Sequence, residues 1–332
     1  MQASFAGNPL FALHEPNELA ARLNQPLRKL RHLANSSNNY VPLERYTGHK
    51  LRHVEAPRRD LRSVQCIIAD ALRRVDQPEY LHSGRRGRSH VTNAAIHRGH
   101  RWLCQIDLRS YYEQITATRI RSFFADTLDC TPDVARLLTR LCTTRGHAPA
   151  GSRVSQPIAY HVTAPLFDEL SAHSDASDVL FTVFVDDLCF SGAGATSGFL
   201  WEVKKIIHHH GFSYHRARCH PPGRPKLVTG VYLAGEQMRL SPIEARRITE
   251  EVSELHQVET DEHRLRTLLG RVAAANSIDR RYRPLVDMVQ ARLRTLQRTG
   301  RASARCSDWA LDVGSGRQQD RQGWNTPPAN WF

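Results

Sequence analysis

The chain has no Cys-x-x-Cys pair, and its seven cysteines, at 66, 104, 130, 142, 189, 219 and 306, are odd in number. A zinc site or a disulfide framework has no support in that pattern, and cysteines set inside apolar runs read as buried reduced thiols. No uninterrupted apolar run approaches the ~18 residues of a membrane helix, and the start lacks a charged-then-apolar leader pattern. A soluble, cytoplasmic protein with no membrane partner is therefore expected. Acids are also scarce, 33 against 46 lysines and arginines, which leaves a net charge of +13 and a pI near 9.8. The excess is spread along all 332 residues rather than confined to a tail. A polyanionic partner is implied, nucleic acid ahead of a membrane surface. This length can bury a real core and allows one large or two modest domains.

The few acids are informative by position. In Phe181–Gly192 two adjacent acids, Asp186 and Asp187, stand between two runs rich in aromatic and β-branched residues, a pattern that predicts a hairpin with the acids at its turn. Aspartate is common at turns for reasons of local hydrogen bonding alone. The third acid, Asp107, changes that reading, because another apolar run, Trp102–Ile106, delivers it at a strand end. Three strand-borne carboxylates in this order suggest a two-metal nucleotidyl-transfer site, since hard divalent cations demand oxygen ligands.

Along the chain, leucines at 19, 23, 27, 30 and 33 with Arg and Lys between them predict one amphipathic basic helix from Pro16 to about Ala34. Tyr40–Pro57 suits a hairpin turning at Thr47-Gly48, and Arg59–Val75 a helix. A glycine- and arginine-rich loop, Leu81–His90, leads into a helix over Val91–His97 capped by Thr92 or Asn93. Helices are expected at Ala117–Phe124, Thr131–Cys142, Ile158–Leu170 and Thr196–His210, one strand at Lys226–Leu233, and a turn with a second strand at Gly235–Leu240. The His208–His210 run reads as a polar helix end ahead of a metal site. From Ser241 to about Arg298 the pattern is helical throughout, and arginines at 246, 247, 264, 266, 271, 280, 281 and 283 divide between solvated groups and groups able to track a duplex. Arg301–Phe332, with Trp309, Trp324 and Trp331, has no period and reads as a loosely ordered tail.

The order of these pieces resembles the bacterial reverse transcriptases, and among them the retron type, from about Leu43 to Asp287. An Arg-x-Ile-x-x-Pro strand is matched by Arg52–Pro57 and a Leu-x-x-x-Gln helix by Leu61–Gln65. Gly87–Ser89 with Asn93-Ala-Ala-Ile-His97 matches the Gly-Arg-Ser and Asn-Ala-x-x-His pair. Asp107–Tyr112 matches Asp-Leu-x-x-Phe-Phe, Phe184–Asp187 matches Tyr-x-Asp-Asp, and Val228-Thr-Gly230 matches Val-Thr-Gly. The resemblance implies an α+β right-hand polymerase fold, with fingers and an antiparallel palm sheet over residues 40–240, and a helical, RNA-binding thumb over 241–300. A basic helical segment, 1–39, precedes them and the tail, 301–332, follows.

It further implies an RNA-directed DNA polymerase that copies part of a structured non-coding RNA into DNA, in anti-phage defence, with deoxynucleoside triphosphates as substrates and an effector protein as a possible partner. Two Mg²⁺ ions would be held by Asp107, Asp186 and Asp187, with Leu108 beside them. Arg45, Arg52, Tyr112, Gly151 and Ser155 would bind the nucleotide, Tyr112 by excluding a 2′-hydroxyl. Asn93, His97, Val228, Thr229 and Gly230 would serve RNA binding. Departures are confined to a few places. The family's Leu-Pro-Gln-Gly-Ala-Pro-Thr-Ser-Pro loop reads Ala148-Pro-Ala-Gly-Ser-Arg-Val-Ser-Gln156 here, so Ala150 replaces a Gln, Arg153 a Pro and Gln156 a Pro. Phe184 replaces Tyr, Glu113-Gln114 replaces Pro-Ser, and Tyr214–Arg218 stands where relatives place a Lys. The altered loop at Ala150 keeps open one alternative, a defence-associated reverse transcriptase with another RNA or template; the other, a catalytically silent RNA-binding scaffold, is opposed by the intact Asp107, Asp186 and Asp187.

Overall fold

The computed structural model describes residues 5–47, 50–99, 102–255 and 261–307. They fall into two compact units, one made of the residues up to Ala245 with Ser277–Asp279, the other of Arg246–Asn276 and the residues from Arg280 onward. The architecture is mixed α/β with antiparallel sheets. Among the described residues no helix is long and apolar enough to cross a membrane, and six cysteines are free thiols.

The first unit opens with α1 (Pro16–Arg22) and α2 (Leu27–Asn35), two helices where the leucine period predicts one. Asn24 has φ +48°, and Pro26, at the start of α2, lacks an N–H and excludes a helical residue before it. Strands β1 (Tyr40–Thr47) and β2 (Lys50–Pro57) pair antiparallel as a separate ribbon; the residues between them lie outside those described. Next come α3 (Arg59–Leu72) and α4 (His90–Ile96). Helix α4 is capped one turn earlier than expected, by Ser89, whose hydroxyl accepts from Thr92 N while Thr92 Oγ1 accepts from Ser89 N.

The principal sheet has the order β4-β5-β3-β6. It is built from β3 (Leu103–Leu108), followed by helices α5 (Tyr111–Gln114), α6 (Ala117–Ser122), α7 (Pro132–Cys142) and α8 (Ser155–Ala176), and then by β4 (Leu180–Phe184) and β5 (Asp187–Ser191). Helix α9 (Ser197–His209) leads to the last strand, β6 (Tyr214–His220). Composition hides β6, since Tyr-His-Arg-Ala-Arg-Cys-His has little strand propensity, and pairing with β3 is what makes it one. The stretch Lys226–Leu233 is two strands rather than one, β7 (Lys226–Val228) and β8 (Val231–Ala234), which with β9 (Gln237–Leu240) form a second sheet. Thr229 and Gly230, at φ +43° and +88°, make the positive-φ two-residue turn that a tight hairpin needs.

The main core lies where α3, α6, α7, α8 and α9 pack on the sheet, with Phe124, Phe167 and Phe190 fully enclosed. It also holds a polar ring. His161 of α8 lies flat against Phe123 with ring centres 5.5 Å apart, and its Nε2–H donates to the Leu72 carbonyl at 3.0 Å. Burial pushes this imidazole down from its ordinary 6.5 to about 4.

The second unit contains most of α10 (Pro242–Glu254) and α11 (Glu262–Ile278), and all of α12 (Arg283–Ser307). Helix α12 therefore continues to Ser307, past the expected end near Arg298, and the rest of the anticipated tail, with its three tryptophans, lies outside the described residues. Six of the eight arginines singled out in this region are tied to acids of the same unit. Arg246 reaches Glu250, Arg264 reaches Glu254, Arg266 reaches Glu262 and Arg283 reaches Asp287, at 2.7–3.2 Å, while Arg247 and Arg271 share Glu251. Exposed pairs of this kind add little stability singly, but they neutralise much of the basic face that the arginine count suggests.

His161 generates a testable dependence. Its folded pKa lies below the unfolded one, so the unfolded chain takes up a proton below pH 6.5 that the folded chain refuses. The contribution is complete above pH 6.5 and is lost as pH falls toward 4, by up to about 3 kcal/mol. Denaturant unfolding across that range measures the slope, and His161→Gln should flatten it.

Candidate active site

Strand β3 alternates from Cys104 onward. Cys104, Ile106 and Leu108 face the core and are buried, while Gln105 and Asp107 share the opposite, half-exposed face. The β3–β5 register sets Asp107 directly opposite Asp187. One step on, Leu108 N donates to the Asp186 carbonyl at 3.0 Å. Backbone pairing therefore brings Asp107, Leu108, Asp186 and Asp187 to one end of the sheet. Among the described residues no three His, Cys, Asp or Glu side chains are gathered as a metal-holding set, so the convergence is one of backbone positions.

On its other side Asp107 faces Arg216 of β6. The register shifts there, since Leu108 pairs with Tyr214 and leaves His215 as an extra residue. A bulge at a strand end re-aims the side chains beside it. Gln114 fixes this corner, accepting from Ser213 N at 2.8 Å and donating to the Arg109 carbonyl. The departure at Gln114 is thus a structural tie between β3 and β6.

Asp186 and Val185 are the two central residues of the β4–β5 turn, closed by the Phe184–Asp187 pair. Val185 has φ +61°. A positive φ at the first central position alone is the II′ pattern, where Gly is the usual residue. A β-branched residue there carries strain of about 1–3 kcal/mol. Its N–H is held by Ser83 Oγ at 2.9 Å. Beneath the turn Tyr111 is buried, donates to Thr163 Oγ1 at 3.2 Å, and lies against the half-buried ring of Tyr112 at 5.5 Å. Burial first, and the nearby charge of Asp186 among lesser causes, push the Tyr111 phenol far above its ordinary pKa, so it stays protonated.

Apart from Tyr112 on α5, the expected nucleotide-binding residues lie on two connected pieces. Arg45 and Arg52 are register partners across β1–β2; their side chains lie outside the described residues. The loop carrying Gly151 and Ser155 joins this ribbon, because Glu55 N donates to the Ala150 carbonyl at 2.6 Å. Gly151 has φ +116°, and an added Cβ would sit 2.3 Å from Val54 Cγ1, so both backbone and packing demand glycine. Ser155 is buried and its hydroxyl donates to the Pro149 carbonyl at 2.5 Å, closing the loop. Gln65, from the Leu-x-x-x-Gln match, is the hub. Its amide donates to Tyr40 Oη and the Leu141 carbonyl, both at 2.8 Å, and accepts from Ser152 Oγ at 2.7 Å.

The five expected RNA-binding residues also meet. Thr229 donates to the His90 carbonyl at 2.8 Å, and Asn93 Nδ2 approaches Thr229 Oγ1 at 3.5 Å. His97 is 2% exposed and bridges Ser191 and Thr182 hydroxyls, each at 2.7 Å. Asn93 and Val228 are fully enclosed and Gly230 is exposed. The two motifs are thus halves of one joint, locking α4 and the β7–β8 turn onto the sheet. The sequence places Arg216 only within the Tyr214–Arg218 stretch and Ser83 only within the glycine- and arginine-rich loop; a cross-strand neighbour of Asp107 and a hydroxyl aimed at a turn become visible only with the register.

No family model matches the chain. Among curated proteins it is 31% identical over 159 residues to the Retron Se72 reverse transcriptase of Salmonella heidelberg (strain 579083-10), covering 47% of this chain and 41% of that protein. It is 22% identical over 181 residues to the Retron Ec86 reverse transcriptase of Escherichia coli, 54% and 56% of the two chains. With the Retron Mx65 reverse transcriptase of Myxococcus xanthus it shares 27% identity over 234 residues, 63% and 53%. The chain spans about half the length of the curated relatives it matches. The family its motifs resemble is the family these comparisons return: the chain is similar to the retron reverse transcriptases.

Proposed function

We propose that the chain is an RNA-directed DNA polymerase of retron type, a nucleotidyltransferase that extends a 3′ end with deoxynucleotides on an RNA template. The observation that carries this reading is the register placing Asp107 opposite Asp187, with Asp186 joined to Leu108, at one end of an antiparallel sheet. On this reading the sheet β4-β5-β3-β6 is the palm, the β1–β2 ribbon with α3 belongs to the fingers, and α10–α12 form the thumb. The domain limits proposed are 1–39, 40–240, 241–300 and 301–332. A structured non-coding RNA, its DNA product and an effector protein acting in anti-phage defence are the partners that go with it.

The residues fit divalent cations by chemistry, since Asp107, Asp186 and Asp187 with the Leu108 carbonyl are hard oxygen donors suited to Mg²⁺. Two Mg²⁺ would supply activation of the attacking hydroxyl and neutralisation of the leaving pyrophosphate. The protein's own work is positioning. The three acids share one sheet end, Gly151 lets backbone come close to the nucleotide, and Tyr112 packs where a 2′-hydroxyl would intrude. Arg45 and Arg52 hold the triphosphate from the ribbon that the Glu55–Ala150 bond fastens to the loop.

Asp186→Asn and Asp107→Ala should each abolish Mg²⁺-dependent deoxynucleotide incorporation by several orders of magnitude, while the unfolding midpoint and co-purifying RNA are kept. Synthesis retained by either variant removes the site assignment. Tyr112→Ala should raise ribonucleotide use relative to deoxynucleotide use by about 10- to 100-fold, read as the ratio of kcat/KM values.

The α4 joint yields a third expectation. His97→Ala strands two buried hydroxyls, at a cost of about 1–3 kcal/mol each, so its denaturant midpoint should drop well below that of Asn93→Ala. If the joint shapes an RNA-facing surface through the exposed Gly230 turn, Asn93→Ala should impair synthesis on RNA that co-purifies with the protein more than extension of a generic primed template. Equal loss on both templates would assign the joint to stability alone.

A further inference from the structure

Residues Tyr80–Ser83, at the entry to the glycine- and arginine-rich loop, run beside β4 as a short parallel partner. Val183 N donates to the Tyr80 carbonyl at 2.8 Å, and His82 N donates to the Val183 carbonyl at 2.9 Å. The next rung of a parallel ladder would take Val185 N to a main-chain carbonyl of this segment. It goes instead to the Ser83 side chain, Oγ at 2.9 Å, and Ser83 is 3% exposed. Val185 is the turn residue at φ +61°, immediately before Asp186. A side-chain acceptor has taken the rung that the turn's unusual backbone withholds from the main chain.

A second group holds the acceptor in place. Gln156, near the start of α8, donates from Nε2 to the Ser83 carbonyl at 3.2 Å and approaches Ser83 Oγ at 3.5 Å. Gly84, at φ +65°, leaves room for it, for a Cβ there would lie 2.2 Å from Gln156 Oε1. Further back, His82 is tied to Thr92 Oγ1 at 3.0 Å, so the whole segment is anchored on α4 and α8. Where the resembling family ends this loop in Pro, this chain has Gln156. Proline has no amide group to offer, so the Gln156–Ser83 link is a property of this chain.

We propose that Ser83, oriented by Gln156, is a positioning residue that holds Val185 in its left-handed conformation and so fixes where Asp186 and Asp187 are presented. The proposal rests on the reading of those acids as catalytic, but the brace itself is a backbone device that can be tested without turnover. Removing the hydroxyl frees the turn to relax, and the acids lose their fixed placement while the nucleotide-binding ribbon and loop stay as they were. The loss therefore falls on kcat and spares KM for the nucleotide.

The test is hydrogen–deuterium exchange over residues 183–188, paired with primer-extension kinetics, on the full chain. Ser83→Ala should speed exchange of the Val185 amide and lower kcat by about 10- to 100-fold, and Gln156→Leu should give the same effects more weakly. Ser83→Thr, which keeps the acceptor oxygen, should restore protection. Adding Val185→Gly to Ser83→Ala should recover most of the lost rate, because glycine adopts a positive φ without strain and no longer needs the brace. Unchanged exchange in Ser83→Ala overturns the brace, and so does a Ser83→Ala defect that Val185→Gly leaves untouched. A parent chain that incorporates no deoxynucleotide overturns the polymerase reading instead, while the exchange experiment still decides the brace.

Discussion

The candidate site hangs on the pairing of β3 with β5. A strand has period two, so a slip of one residue would turn Asp107 toward the core and bring Ile106 or Leu108 to the open face. The register is held from the buried side. Cys104, Ile106 and Leu108 point into the core, and Leu188 and Phe190 of β5 join the same cluster. Burying a side chain of this size is worth about 1.5–3 kcal/mol, so a slipped register would forfeit several such terms at once. The apolar face of β3 thus fixes the position of the acid on its polar face.

Carboxylates placed together repel, and the surroundings show how the fold tolerates them. Arg216 is the cross-strand neighbour of Asp107 on β6, and Arg218 stands one rung further on, opposite Gln105. A basic strand flanking an acidic strand end lowers the cost of clustering before any cation arrives. Elsewhere the positive excess is less available than the composition suggests, because most arginines of the second unit with a named role in the sequence are paired with acids there. A net charge of +13 still biases encounters toward polyanions, but the groups free to meet one are not those an arginine count selects.

The strands that frame the candidate site were legible because they rest on short-range patterns. The apolar runs around Asp107 and around Asp186-Asp187 predict their strands, and the acids fall where the runs end. Three things were hidden. Proline at 26 splits a helix whose leucine period runs straight through it, since periodicity says nothing about a missing N–H. Strand β6 is made by its partner and not by its own residues. The Val-Thr-Gly triplet reads as part of a strand, yet its Thr229 and Gly230 are the turn between two, because their positive φ outweighs the β-propensity on either side. Burial was the least legible property: a polar residue in a motif invites a contact role, whereas His97, Gln65 and Ser155 are enclosed and hydrogen-bonded within the protein.

That contrast bears on what the motif matches mean. Asp107, Asp186 and Asp187 stand half-exposed at a strand end, while the matched Gln65, Asn93, His97 and Ser155 are internal. The motifs thus pick out two kinds of residue, those half-exposed at a strand end and those that hold a loop, a helix or a turn against the sheet. The Asp186 turn needs the second kind most. Val185 suits the strands beside it and not the turn it occupies, a local mismatch of propensity and backbone. Such a conformation persists only when its surroundings over-determine it. Here they do so through a hydroxyl 102 residues away in sequence, which is why no reading of the hairpin alone could have shown what keeps its acids in place.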